Sequence, residues 1–492
     1  MDRGTSSPQT PAPGNQPTDP GPDPRPCPAP PAAAGAILNV GPAFLRTTRY
    51  FFPDFNNWLE ELPDGRNPEA IIYQRRFLAW WGILLYLLQL RSRRQLDFNL
   101  DNDAAEVVAN VNRLAGTRQT TRPVHDTLDY FLGQSQATAL ARVRTQMLRR
   151  LIRMKILDEA RLLGRLVVAV DATGWLCFRE RHCDQCLVRR HRSGTQYEHQ
   201  VLEAKVLGPE GLTFSIGTAF IENADAPTTP AAAETVKQDC ELSAFSRLAV
   251  QLKRDFPQVR LCLSGDGLYA CGRTFQIAKD NGWSYVLTFK EGHMPAVWRE
   301  FQSLLELTPE NTRVEVLQRG THTVHQEYRW VKDLSYEDDQ KRTWTFQALL
   351  CEETVAGQTT TFAWVTDLPV DAATVADIAN QGGRARWQIE NQGFNRQKNS
   401  GLNLEHAYSE DPEKSKAYYY LLQIAHILIV LLENGKFLRQ LATAAGKTVI
   451  EWFGSLGNIA RRLLESIRYR PWPAEETAPL PAVAAVAELD SS

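Results

Sequence analysis

Apolar residues recur at helical spacing through residues 37–160, then give way to short unbroken or alternating runs. In the first region "EAIIYQRRFLAWWGILLYLLQL" (69–90) reads as a long apolar helix, and "TTRPVHDTLDYFLGQ" (120–134) as a turn, a proline and a new helix. "ALARVRTQMLRRLIRMKILDEARLL" (139–163) carries apolar positions at helical spacing with arginines between them. "RLVVAVDATG" (165–174) is a continuous apolar run ending in Asp171, the pattern of a buried strand. "HQVLEAKVLG" and "LTFSIGTAFIE" follow as alternating strands of a meander, and "TVKQDCELSAFSRLAVQLKRDF" as an amphipathic helix. "VRLCLSGDG" is a second buried strand running to Asp266, "RTFQIAKDNG" a helix and "WSYVLTFKEG" a further strand.

Residues 295–365 change texture, with "RVEVLQRGTHTVHQEYRWVKDL", "RTWTFQALLCEE" and "QTTTFAWVTDL" reading as antiparallel strands of a β-rich insertion. "DAATVADIANQGGRARWQIENQGFNRQKN" returns to helix, with an interruption expected at Gly382–Gly383, and two apolar helices complete the fold. The expected organisation is a Pro-rich leader (1–36), a helical region suited to binding DNA ends (37–160) and an α/β core in two parts (161–294 and 366–435). The insertion (295–365) separates the two parts; a helical region (436–472) and an Ala/Pro/Glu-rich tail (473–492) follow. Residues 1–35 hold eleven of the 28 prolines and almost no large apolar side chains, too few to offset the entropy of ordering, so leader and tail are expected to be disordered.

A chain of 492 residues can bury one large core or two to three ordinary ones, and 43% hydrophobic with 23% charged residues is the balance of a soluble globular protein. "FLAWWGILLYLLQL" is too short to span a bilayer, and "YYYLLQIAHILIVLL" is broken by Gln423 and His426, so both are expected to be buried helices and no membrane partner is expected. Eight scattered cysteines and the lack of a signal-like N-terminus suggest reduced thiols in the cytoplasm. Net charge is −2, but between Arg142 and Arg192 thirteen Arg or Lys face five acids, which permits a local phosphate-binding surface.

Asp171 and Asp266 each end an apolar strand, where a buried sheet presents its edge to ligands. Alone, each is as easily a turn or cap residue, and Gly265 and Gly267 strengthen that reading for Asp266. Glu390 stands four residues after Arg386, which on its own reads as a surface ion pair worth a few tenths of a kcal/mol. Three carboxylates converging on one sheet edge would repel one another unless divalent cations, which take oxygen ligands, shared the site. The order strand–Asp, two strands, helix, strand–Asp, helix, strand, helix–Glu is that of an RNase H-like mixed sheet with flanking helices, here with a β-rich insertion and an N-terminal helical domain.

"VVAVDATG", "LSGDGLYACG" and "RWQIENQGFNRQKN" further resemble the DDE transposases of bacterial and archaeal insertion sequences that carry a Tyr-Arg-Glu-Lys signature, over roughly residues 160–430. The resemblance implies Asp171, Asp266 and Glu390 as a catalytic, metal-binding triad for two Mg2+ or Mn2+ ions. It implies Arg386 and Lys398 as DNA contacts, and as partners double-stranded DNA, both terminal inverted repeats and target, bound by a homodimer at the prokaryotic nucleoid. Two positions depart from the family pattern: its tyrosine falls on Gly383, and its lysine on Gln397, with Lys398 one step later. A metal-dependent nuclease of the same fold, or an inactive DNA-binding remnant, shares most of these features; a haloacid-dehalogenase-like phosphatase is excluded by Thr173, where a second acid would be needed.

Cys177, His182, Cys183, Cys186, His191 and His199 cluster in sequence between the first strands, beside Arg179, Arg181, Arg189, Arg190 and Arg192. One CxxC is half a zinc site, so the segment reads first as a basic DNA-contacting loop with free thiols and only second as structural zinc. Lys290 is expected at an exposed strand end, Trp387 and Phe394 as core anchors, and the acids at 239 and 241 on a solvated helix face.

Overall fold

The computed structural model describes residues 40–472 apart from 102–103, 193, 209–211, 224–237 and 445; the leader and tail expected at the termini lie outside the described residues. The N-terminal region is helical as expected: α1 (Val40–Phe51), α2 (Phe55–Glu60), α3 (Arg75–Leu87), α4 (Arg93–Asn99), α5 (Ala104–Ala115), α6 (His125–Gln134) and α7 (Ala137–Arg153). Strands β1 (Arg161–Leu162), β2 (Arg165–Phe178), β3 (Leu187–His191), β4 (Gly194–Leu207) and β5 (Thr213–Ile221) follow. Next come α8 (Glu241–Asp255), β6 (Leu261–Gly265), α9 (Gly272–Asn281), β7 (Ser284–Thr288) and α10 (Pro295–Leu307). The remaining strands are β8 (Thr312–Arg319), β9 (His322–Glu337), β10 (Thr343–Val355) and β11 (Gln358–Thr366). A helix over 375–399 (α11) precedes α12 (Pro412–Asn434), α13 (Lys436–Ala444), α14 (Val449–Phe453) and α15 (Leu456–Tyr469).

All eleven strands form one mixed α/β sheet, ordered β3-β4-β2-β6-β7-β11-β10-β9-β8, with β1 beside β2 and β5 beside β4. The centre is parallel (β2, β6, β7) and both flanks are antiparallel. Strand β4 pairs with β2 on one edge; on the other its first half meets β3 and its second half β5. The segment 295–365 is therefore no separate β unit. It opens with α10, whose Val297, Phe301 and Leu305 are buried, and its four strands extend the central sheet through the β7–β11 pairing.

Alternation along the strands sorts the core onto two faces. Leu166, Val168, Val170 and Leu263 belong to the larger apolar cluster, which also holds the N-terminal helices and α12. Val167, Ala169, Cys262 and Val286 belong to the smaller one, with Ile378, Ala379, Ile389 and Phe394 of α11. Helix α12 is long and apolar enough in composition to cross a membrane, yet its most apolar 18-residue stretch is entirely buried within the fold. Burial extends to Trp472, whose backbone N–H donates to Asn110 Oδ1 at 2.9 Å, closing the C-terminal helices onto α5.

Helix α11 runs through Gly382–Gly383 without the expected interruption. Its winding is looser than an α-helix over Ile378–Gly383 and Ile389–Asn395 and tighter over Arg384–Arg386. The glycines serve close approach rather than a break. A β-carbon at Gly383 would lie 2.3 Å from Trp364 Cε2 on β11, and one at Gly382 would lie 2.7 Å from Val286 Cγ2 on β7. Ser264 Oγ donates to the Gly382 carbonyl at 2.6 Å, tying this point of the helix to β6.

Candidate active site

Sheet register sets the two aspartates level. In the parallel β2–β6 ladder Leu166 opposes Leu261 and Ala169 opposes Ser264, and continuing two positions brings Asp171 opposite Asp266. Adjacent strands stand about 4.8 Å apart. Alternation also sets their face: Asp171 shares parity with Val167 and Ala169, and Asp266 with Cys262 and Ser264, the side covered by α11. Asp266 ends β6 as the cap of a short turn, its Oδ1 accepting from the Leu268 N–H at 2.9 Å. The turn role uses one oxygen of Asp266 and so does not by itself exclude a site role.

Glu390 projects from α11 toward the same place. Arg386 Nη1 donates to Glu390 Oε1 at 3.1 Å and to Asp171 Oδ2 at 3.3 Å, so one guanidinium spans helix and strand. Asp171 is pushed up to about 7, first by burial, against which Arg386 pulls down while Glu390, Glu241 and Asp266 push further up. Glu241, at the start of α8, is a member that sequence reasoning left on a solvated face. It is half-buried, accepts from Tyr269 Oη at 2.5 Å, and is itself raised by burial and by Asp266. Nothing local marks it; only the packing of α8 against the sheet brings it in.

The other expected contacts are distributed differently. Gln397 is fully buried and accepts from Lys205 Nζ at 3.0 Å, while Lys398 pairs with Glu405 at 2.7 Å on a half-buried surface. Trp387 is 48% exposed and is no core anchor, whereas Phe394 is buried as expected. A cleft of about 770 Å3 lies beside Arg386, lined by Lys290, Trp298, Phe362, Trp364 and Trp387 among others. The basic window does not form one surface either: Arg144 is buried and donates to Ser215 Oγ at 3.0 Å.

The second cluster lies at the far end of β2 and β4. His182 Nδ1, Cys183 Sγ, Cys186 Sγ and His199 Nε2 come together, and among the described residues this is the one set of three or more His, Cys, Asp or Glu ligand atoms all within 4.8 Å of one another. The carboxylates stand more openly, with the Arg386 guanidinium between two of them. Cys177 and His191 are exposed and outside the cluster. Burial, with His182 and Lys416 nearby, pushes His199 down to about 4, and burial together with the Cys186 thiol pushes Cys183 up to about 11.

A scan against protein-family models and a search of curated proteins both return no match for this chain. The carboxylate site therefore rests on its own geometry.

Proposed function

We propose that this chain is a DNA transposase with an RNase H-like core, which cleaves and rejoins DNA strands at the ends of a mobile element. The observation that carries the reading is the convergence of Asp171 and Asp266, level on adjacent parallel strands, with Glu390 of the covering helix on one guanidinium. The donor set fits hard divalent cations. It offers only carboxylate oxygens, and Asp171, with three acids near it, has a single arginine against the accumulated negative charge.

Asp171, Asp266 and Glu390 would hold the two Mg2+ or Mn2+ ions. When bound, these supply Lewis acidity at the scissile phosphate and charge to stabilise the departing oxygen. Arg386 would leave its carboxylates and donate to a phosphate oxygen, a pairing its planar fork suits. Hydrolysis first frees a 3′-hydroxyl; that hydroxyl then displaces an oxygen at a target phosphodiester, with no covalent protein intermediate. The open cleft beside Arg386, with Lys290 and exposed Trp387, gives the strand end a basic and aromatic floor. Lys398, a second DNA contact on this reading, exchanges its Glu405 partner for phosphate. Two active chains synapse the two ends as a homodimer, which places the protein at the nucleoid.

The test is incubation of the purified chain with a duplex carrying the DNA that flanks its own reading frame, with Mg2+ or Mn2+. Cleavage and joining that vanish in Asp171→Ala and Glu390→Ala support the proposal. Cleavage without joining makes the protein a nuclease of the same fold, and specific binding with neither makes it an inactive remnant. Cleavage undiminished in either variant overturns the triad.

A further inference from the structure

Beyond Asp171 the arm formed by β2 and β4 still buries Trp175 and Leu176 in the larger apolar cluster, and exposure begins at its tip, at Cys177, Arg179, Glu180 and Arg181. At its tip the loop after Phe178 folds back, and β3 begins at Leu187 immediately after Cys186. The loop returns onto β4 at His199, which lies opposite Leu176 in the β2–β4 ladder. Four side chains meet there from two directions, three from the loop and one from the strand.

Their spacing is that of a coordination shell. Cys183 Sγ and Cys186 Sγ are 3.3 Å apart, and His199 Nε2 lies 3.4 Å from each sulfur. His182 Nδ1 lies 3.4 Å from Cys186 Sγ. Zn–S bonds near 2.3 Å and Zn–N bonds near 2.0–2.1 Å put tetrahedral nitrogens about 3.3 Å, a sulfur and a nitrogen about 3.6 Å and two sulfurs about 3.8 Å from one another, so the two thiols need to separate by only about half an ångström to take the ion. A disulfide, with its S–S bond of about 2.05 Å, is a different arrangement. Two thiolates and two imidazoles are soft and intermediate donors, the set that selects zinc over magnesium or calcium.

Surrounding groups hold the ligands in place. Arg181 donates to the carbonyls of Cys183 and Asp184, each at 3.2 Å, and Asn223 Nδ2 donates to the Cys186 carbonyl at 2.9 Å. The Phe178 ring covers His182 at 3.9 Å between centroids, and Trp175 meets His199 edge-on. Cys186 and His199 are buried, and four protein ligands leave no open position, which marks a structural rather than a catalytic centre.

We propose that His182, Cys183, Cys186 and His199 bind one structural Zn2+, which clips the β2–β3 loop to β4. Binding fixes the arm that carries Arg179, Arg181 and Arg189, at a set distance from Asp171 along the same strand. The use of that arm on DNA rests on the function proposed above; the metal site does not.

The test is elemental analysis of the full-length protein purified under reducing conditions, with Co2+ substitution as a second readout. One zinc per chain is expected, and the cobalt form should show the intense visible bands and thiolate charge transfer of a tetrahedral sulfur–nitrogen site. Cys183→Ser, Cys186→Ser and His199→Ala should lose the zinc, whereas Cys177→Ser and Asp171→Asn should keep it. Retention in Asp171→Asn separates this centre from the carboxylate site, so DNA activity and zinc content can fail independently. Zinc-free wild-type protein that gives no tetrahedral cobalt spectrum, a Cys183–Cys186 disulfide under those conditions, or zinc retained by the Cys183→Ser/Cys186→Ser double variant would overturn the proposal. The wild-type cobalt spectrum decides even where a variant fails to fold.

Discussion

The buried ammonium of Lys205 donates to Gln397 Oε1 at 3.0 Å, joining the C-terminal end of β4 to the last turn of the helix that bears Glu390. The Gln397 amide nitrogen in turn donates to Gln423 Oε1 of α12 at 2.8 Å. Burial pushes Lys205 down to about 8, with Glu203 nearby opposing that shift and Arg144 adding to it. Position 397, where the resembled family has its lysine, is therefore an interior acceptor for a lysine supplied by strand β4.

Restoring that lysine should fail. Gln397→Lys would set a second ammonium against Lys205 where no solvent reaches, and we expect a loss of about 3 kcal/mol or more. The reciprocal exchange Lys205→Gln with Gln397→Lys should recover most of it, with a coupling of at least about 1 kcal/mol. Denaturant unfolding of the two single variants and the double closes the cycle; additive losses would show that the contact is not energetically coupled.

Asp171 predicts a pH dependence. Its carboxyl has an ordinary value of 3.8 and is raised to about 7 in the fold, so between these values the folded chain binds the proton that the unfolded chain releases. Stability from this group therefore falls as pH rises through that window and levels off above it. Metal-free Asp171→Asn should be more stable than wild type by roughly 1–3 kcal/mol at about pH 8, the difference shrinking toward about pH 4. Thermal unfolding in chelator at both pH values measures it; an equal difference at both would remove the buried-carboxyl explanation.

Much of this site was legible because strand periodicity is rigid. Once "RLVVAVDATG" and "VRLCLSGDG" are buried strands, alternation fixes the side on which each aspartate falls within its own strand, and the parallel register then sets the two level on one face. What escaped reading depends on contacts between distant segments. Gly382–Gly383 signals a break locally, yet the helix continues because Trp364 and Val286 need the space that β-carbons would take. Trp387 resembles a core anchor by residue type and faces a cleft instead. Glu241 joins the carboxylates only through packing of α8, which an acidic run does not encode, and pairing of β4 is what brings His199 rather than His191 to the CxxC among the residues named from sequence.

Gly383 supplies a direct check on that packing. Gly383→Ala places a β-carbon against the Trp364 indole, and overpacking of this kind costs roughly 1–3 kcal/mol. Combining it with Trp364→Leu should cost less than the sum of the two single changes, because the smaller side chain vacates the contact. Chemical denaturation reads both; a Gly383→Ala variant as stable as wild type would mean that the helix can move off β11 freely.

Arg386 separates two roles that removal of a carboxylate cannot. Its guanidinium is a cation already on Asp171 and Glu390, so it competes with any metal there, and under the proposed function it is also the group that would meet phosphate. Arg386→Met keeps much of the side-chain bulk and removes the charge. Mn2+ should then bind about three- to tenfold more tightly, because a like charge a few ångströms away is gone. DNA cleavage should nevertheless fall by about 100-fold or more, the size expected when an electrostatic donor to a transferring phosphoryl group is lost. Calorimetric titration with Mn2+ and a cleavage assay on the same preparation give both numbers. A purely structural arginine would weaken metal binding and activity together, and a bystander would change neither; only tighter metal with slower chemistry fits a residue that holds the carboxylates until phosphate arrives.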